Sequence, residues 1–306
     1  MIGAVDIGGT KIAVGLVDRQ GHLLARRQFP TSRWQVSLDE ICRGLNDLAA
    51  AGGDSALEGI GIGCTGPVYP MLGTVGEVEF IKDWKGVQIV GELSQRLGVP
   101  AALENDADAA ALGEAAWGAG RGASRFILVT VGTGIGGGLV FGGSLYRGVD
   151  SSHPEIGHHV IDLSGPPCYC GGKGCWEMLA SGPAMAVWLR ANAPVDYPGL
   201  EKIDAKAICN LAEQGDPLAV RATEREGEML GIGLANLINL FSPDVIALGG
   251  SVMESWRLFS ERVTRTIRQN CTLVPFERTS IVMASLGPDS GLIGAAQVWM
   301  HRFGEN

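Results

Sequence analysis

The chain has 306 residues, 46% of them hydrophobic, enough to bury a large core in two domains or one large one. A formal charge of −9 and a pI near 5.1 argue against a surface that neutralises a nucleic-acid backbone or an anionic membrane, so any phosphate must be held locally. No stretch approaches the roughly 20 unbroken apolar residues of a membrane span. Met1 leads almost at once into the strand-like IGAVDIGG, which leaves no room for a signal peptide and implies a cytoplasmic location.

The opening, GAVDIGGTKIAVGLVDRQGHLLARRQFPT, reads as three apolar strands joined by a Gly turn and a turn at Arg19-Gln20-Gly21, a β-meander. Leu38, Ile41, Leu45 and Leu48 predict a helix over 37–51, and GIGIGC is a buried strand ending at Thr65-Gly66-Pro67. A helix over 87–97, a strand over 100–104 and a helix over 107–117 complete one α/β block, and the Gly-rich GAGRGAS marks a boundary near 118. RFILVTVGTGIGGGLVFGGSLY then repeats the strand, Gly turn, strand pattern of the opening, which implies a duplicated fold. Residues 178–240 are mostly helical, SPDVIALGGSV is a buried strand running into Gly-Gly before another helix, and GLIGAAQVWMHRF is a last helix expected to cross back to the first domain. The domains are expected at 1–117 plus 291–306, a small N-terminal α/β domain, and at 118–290, a larger C-terminal α/β domain.

The 46 glycines cluster at the ends of apolar runs, in DIGGTK, GTGIGGG, CGGKG and LGGS, which suits turns laid against a ligand. In Asp6-Ile7-Gly8-Gly9-Thr10-Lys11, the glycines let the backbone approach an anion, Thr10 and Lys11 can donate to phosphate, and magnesium would account for Asp6. A plain hairpin with a solvated Lys11 would read the same. The common phosphate fingerprints GxxxxGK[ST] and GxGxxG before a helix are absent at this turn, against a P-loop enzyme or a dinucleotide dehydrogenase. Gly132-Thr133-Gly134-Ile135-Gly136-Gly137-Gly138 offers a second phosphate clamp or a tight hairpin. Gly249-Gly250 offers a flat seat for a nucleoside or a strand-to-helix turn.

Glu104-Asn105-Asp106-Ala107-Asp108 ends a strand and opens a helix, so Asp106 or Asp108 could be the N-cap. The alternative points Asn105 and Asp106 at a ligand, the amide positioning a sugar hydroxyl and the carboxylate taking its proton during phosphoryl transfer. Of seven cysteines, Cys42, Cys64, Cys209 and Cys271 are scattered and suit packing. The trio Cys168, Cys170 and Cys175 suits metal in a reducing cytosol. With His158 or His159 as fourth ligand the shell matches structural zinc, and it would fix Glu155 and Glu177 about a pocket; the plainer reading of each Glu is a solvated loop carboxylate.

DIGGTK, ENDADAAALGE, VGTGIGGG, EIGHH with CYCGGKGCWE, and LGGS, in this order over about residues 2–300, resemble the ROK family of repressors, open reading frames and sugar kinases. The resemblance implies the actin and hexokinase architecture: two ribonuclease-H-like domains closing on a cleft that holds ATP and sugar, with a structural zinc knuckle. It implies an ATP-dependent hexose kinase acting on the 6-hydroxyl, with Asp106 as general base and glucose as the first candidate. Gly66, Asn105, Glu155, His158 and Glu177 become the further sugar contacts. The zinc ligands become His158, Cys168, Cys170 and Cys175. Gly8, Gly9, Thr10, Lys11, Gly132, Thr133 and Gly134 fall in the phosphate motifs, Asp6 near magnesium, and Gly249 and Gly250 at the nucleotide.

Glucokinase-like members usually carry Pro-Asn-Leu shortly before a Trp, whereas this chain has Val78-Glu79-Phe80-Ile81-Lys82-Asp83-Trp84, closer to N-acetylmannosamine kinases. An N-acetylhexosamine kinase is therefore the alternative substrate reading. A sugar sensor without catalysis is the alternative of another class. ROK repressors place a DNA-binding helix-turn-helix ahead of this fold; that needs several tens of residues, and only the first five precede Asp6 here. A homodimer or higher homo-oligomer is expected, without nucleic-acid or membrane partners.

Overall fold

A computed structural model of the chain describes residues 1–52 and 56–304. The meander forms as its alternation predicts: β1 (Ile2–Ile7), β2 (Lys11–Val17) and β3 (Leu23–Pro30) pair antiparallel, with Gly21 at a φ of 84° in the turn before β3. Helix α1 (Trp34–Ala51) begins a turn earlier than its apolar spacing indicated, and β4 (Gly59–Cys64) is buried throughout. The short hairpin β5 (Val68–Tyr69) and β6 (Thr74–Val75) went unread in the sequence because two-residue strands carry no periodicity. A 3-10 turn (Glu79–Trp84), α2 (Ile89–Leu97), β7 (Ala101–Asn105) and α3 (Asp106–Trp117) follow.

The pattern then restarts with β8 (Arg125–Val131), β9 (Ile135–Phe141) and β10 (Ser144–Leu145). Helices α4 (Glu177–Ala180), α5 (Gly182–Asn192), α6 (Ala205–Glu213) and α7 (Pro217–Phe241) fill the region read as helical. Asp216 caps α7 by accepting from Leu218 N and Ala219 N, and Pro217 sits where a helix lacks an internal N–H partner. Strand β11 (Val245–Gly249), helix α8 (Ser260–Asn270), strand β12 (Ser280–Met283) and helix α9 (Ser290–Phe303) complete the chain.

Two five-stranded sheets have orders β3-β2-β1-β4-β7 and β10-β9-β8-β11-β12, so each runs from a third strand back to a first and on to two later strands. The repeat legible in the two glycine-turn segments is thus a repeat of sheet topology. Contacts divide the chain into two compact units. The first holds Met1–Leu128, Gly138–Pro154 and the chain from Ala284; the second holds Val129–Gly137 and Glu155–Met283. The boundaries thus differ from the expected 117/118 and 290/291, because β8 and β9 each run from one unit into the other.

In the first unit the alternation of β4 explains its packing. Ile60 and Ile62 point into a core with Leu38, Ile41, Leu45, Trp84 and Leu93, each such burial contributing about 1.5–3 kcal/mol. Gly59 and Gly61 face the other way, where any side chain would strike Trp299 and the backbone at Ala295, so their bareness is what seats α9. Helix α9 also packs on α3 and β1, in the first unit. In the second unit Trp176 is fully buried against Gly233 of α7 and donates its indole N–H to Met229 O at 3.0 Å.

Candidate active site

In the first unit, the ends of β1, β4 and β7 bring the predicted residues together. Asp6 is the penultimate residue of β1, and the turn after it closes through Gly8 N to Lys11 O at 3.0 Å. Thr31 braces the turn: its hydroxyl donates to Gly8 O at 2.7 Å and its N–H to Thr10 O at 3.0 Å. Gly9 is required by close approach, since a Cβ there would lie 2.9 Å from Cβ of Phe80 in the 3-10 turn. Thr10 and Lys11 stay exposed. Burial pushes Asp6 up to about 6, the neighbouring Asp106 charge adds to this, and Lys11 opposes it.

At the joint of β7 and α3 the N-cap is neither aspartate but Asn105, whose Oδ1 accepts from Ala107 N at 2.9 Å and Asp108 N at 3.4 Å. An aspartate cap was the plainer sequence reading; it fails because the extended residue before the first helical turn is Asn105. The cap leaves the Asn105 amide N–H₂ over the Gly66 turn, where a Cβ on Gly66 would come 2.8 Å from Nδ2. Asp106 is the first helical residue; burial raises its carboxyl above the usual range, opposed by its bond from Ala107 N–H and by the charge of His153. Asp108 is wholly buried instead. Arg147 bridges Glu104 and Asp108 with its two terminal nitrogens, and His153 Nδ1 donates to Asp108 Oδ2 at 2.6 Å. Burial pushes Glu104 up to about 7 against the pull of Arg147.

In the second unit, Gly132 and Gly134 form the turn between β8 and β9, closed by Gly132 N to Gly134 O at 2.9 Å, with Thr133 exposed at its tip. Glu177 opens α4 and accepts from Ile135 N at 2.8 Å, and a side chain at Gly134 would collide with its carboxylate. Glu177 is therefore a buried, bonded group and not the solvated loop carboxylate that local sequence also allowed. Glu155 is exposed just before the 3-10 turn Ile156–His158. Gly249 ends β11 and Gly250 follows at a φ of 90°, pressed against the backbone of Val131.

Donor atoms of His158, Cys168, Cys170 and Cys175 all lie within 4.8 Å of one another. His158 Nδ1 is 3.4 Å from Cys168 Sγ, and the sulfurs of Cys170 and Cys175 are 3.6 Å apart. These separations suit one tetrahedral ion with bonds of about 2.3 Å to sulfur and 2.0–2.1 Å to nitrogen. His159, the other histidine the sequence left open, turns away: Nδ1 donates to Ile156 O at 2.6 Å and its ring packs on Trp176. Tyr169, from between two cysteines, sets its hydroxyl 3.1 Å from His158 Nε2.

The ROK family model matches residues 2–302. The glucokinase of Thermotoga maritima is 34% identical over 309 residues, covering 98% of this chain and 97% of that protein. A ROK family glucokinase from Streptomyces griseus, solved in complex with glucose and AMPPNP, is 34% identical with a TM-score of 0.78, over 97% of this chain and 98% of that one. A ROK hexokinase from Thermus thermophilus is 32% identical with a TM-score of 0.84, over 98% of both chains. The chain belongs to the ROK family. Its relatives there include glucokinases and a ROK hexokinase, and the chain is a sugar kinase with the α/β fold of the ROK hexokinases. The roles of Arg147 and His153 were missed because residues about 40 positions beyond the ENDAD stretch carry no local signal of a bond to it. Among the described residues no helix is long and apolar enough to cross a membrane.

Proposed function

We propose that this ROK kinase transfers the γ-phosphate of ATP to the 6-hydroxyl of glucose, with Asp106 as general base. The joint of β7 and α3 carries the reading. A carboxyl raised by burial stands beside an amide whose oxygen is spent on the helix cap and whose N–H₂ is left for a hydroxyl. Asp106 takes the proton as the sugar oxygen forms its bond to the γ-phosphorus; the bond to the bridging oxygen breaks and ADP leaves. Asn105 and the Gly66 turn orient the sugar, with Glu155, His158 and Glu177 as the further candidate contacts.

Gly8, Gly9, Thr10 and Lys11 supply N–H, hydroxyl and ammonium donors to phosphate oxygens; Gly132, Thr133 and Gly134 form the second clamp, and Gly249 and Gly250 a bare seat for the nucleoside. Two carboxyls as close as Asp6 and Asp106, one pushed up to about 6, suit a neighbouring cation. Magnesium carried by the nucleotide would neutralise phosphate charge there, with Asp6 beside it. His158, Cys168, Cys170 and Cys175 would hold zinc; four protein ligands leave no position for a reacting water, so its part is to fix the loop that bears the sugar contacts.

The substrate assignment follows the likeness to glucokinases. The altered 78–84 stretch favours an N-acetylhexosamine as the second reading, because Phe80 is 76% exposed beside the Gly9 turn and presents an apolar face where a sugar substituent could rest. Phosphorus-coupled NMR of the product made from glucose and magnesium ATP tests the regiochemistry. Phosphorus coupling to the C6 protons is the expected result, and coupling at C1 overturns the assignment.

A further inference from the structure

In the second unit, the knuckle turns sharply between Cys168 and Gly171: Gly171 N donates to Cys168 O at 3.0 Å, and Cys168 N to Gly172 O at 2.9 Å. Tyr169 therefore sits at a turn corner, where loop side chains commonly face water. It is 77% exposed, yet it folds back over His158. The two rings meet edge to face with centroids 5.1 Å apart, and the phenol oxygen lies 3.1 Å from His158 Nε2. The Glu177 carboxylate faces the same hydroxyl. Of the two His158 nitrogens, Nδ1 is the one turned to the sulfur cluster, 3.4 Å from Cys168 Sγ. An imidazole that gives its Nδ1 lone pair to a metal keeps its proton on Nε2, so Nε2 has a single N–H to offer. Tyr169 Oη is the acceptor standing in front of it.

We propose that the Tyr169 hydroxyl competes with the sugar for the single Nε2 N–H of His158, so that a sugar must displace it to bind. The inference rests on His158 being a sugar contact. A phenol oxygen is an acceptor of the same kind as a sugar hydroxyl, and one N–H serves only one of them at full strength. Exposure decides between this role and bracing. A residue that orients a metal-bound histidine is itself held in place, whereas Tyr169 meets His158 by its tip and ring edge with most of its surface in water. Such a side chain swings out quickly, at the cost of one hydrogen bond. The sugar therefore meets a donor that is free for part of the time, and its apparent affinity is lowered by that fraction. The penalty falls only on sugars that use His158, which makes Tyr169 a specificity-determining residue.

The test compares the zinc-loaded chain with Tyr169→Phe, which keeps the ring and removes the oxygen. KM for glucose should fall about 2–10-fold in the variant, with kcat and zinc content unchanged. Among singly deoxygenated glucoses, the one lacking the hydroxyl that takes Nε2 should lose that gain. Fluorine NMR gives a readout apart from turnover. With the four tyrosines replaced by 3-fluorotyrosine, the resonance absent from Tyr169→Phe should shift as glucose is added. A brace predicts the opposite, zinc loss and a higher KM. A higher KM with zinc retained makes Tyr169 a sugar contact, and an unchanged KM or an unmoved resonance gives it no part in binding. Each of these overturns the competition while turnover of glucose by the parent chain leaves the kinase reading standing. No phosphorylation of glucose by the parent overturns that reading and the competition with it.

Discussion

The joint of β7 and α3 and the cysteine knuckle at 168–175 both present polar side chains in fixed positions, by opposite means. At the joint, the backbone does the fixing: a sheet register holds Glu104 and Asn105, a capped helix holds Asp106 and Asp108, and a buried ion-pair network ties the group together. The knuckle has only isolated bridges, Val160 with Cys175 and Pro167 with Lys173, and a one-turn 3-10 segment at His158. Regular structure can hold catalytic geometry unaided. A loop of this kind needs a cross-link, and three thiols with an imidazole fit a metal one.

Breaking each region separately should therefore give different losses. Asp106→Ala should cut kcat by about 10²-fold or more with little change in melting temperature, because the cap and the sheet register do not depend on it. Steady-state kinetics beside a thermal melt checks this. Cys170→Ser, or exhaustive chelation, should lower sugar affinity by about 10-fold or more and lower the melting temperature, with kcat at saturating sugar less affected. Metal analysis of the purified protein should find one zinc per chain.

Glu226 on α7, the helix that seats Trp176 beneath the knuckle, sharpens the contrast. It is wholly buried with neither carboxylate oxygen hydrogen-bonded, and burial pushes it up to about 8 from an ordinary 4.5. Below pH 4.5 folded and unfolded chains are both protonated there. Between 4.5 and about 8 only the unfolded chain releases the proton, so stability falls as pH rises through that window. Glu226→Gln should remove the loss and melt a few degrees higher than the parent at pH 8, with the gap closing toward pH 5. The smallest effect belongs to Asn105→Ala. Loss of the cap should cost about 1 kcal/mol in urea unfolding, together with weaker sugar binding.

What the sequence made legible follows the same division. The β-meander, the helices and the repeated glycine turns were readable because apolar periodicity and Gly punctuation are local. The metal cluster was readable because its cysteines are close in sequence, although the choice between His158 and His159 had to wait for ring orientation. Arg147 and His153 were not readable, since their partners Glu104 and Asp108 stand about 40 residues away and only tertiary packing, with α3 against β10, brings them together. Asn105 as cap was missed for another reason: Asn and Asp cap equally well, and one position of register decides which does so.

The most direct test of the whole account is a coupled ADP-release assay with magnesium ATP, run in parallel on glucose, mannose, fructose, N-acetylglucosamine and N-acetylmannosamine. ADP release with glucose above the other four is the predicted result, and a preference for an acetylated sugar would transfer specificity to the 78–84 stretch. No release with any of the five would contradict the assignment as a hexose kinase.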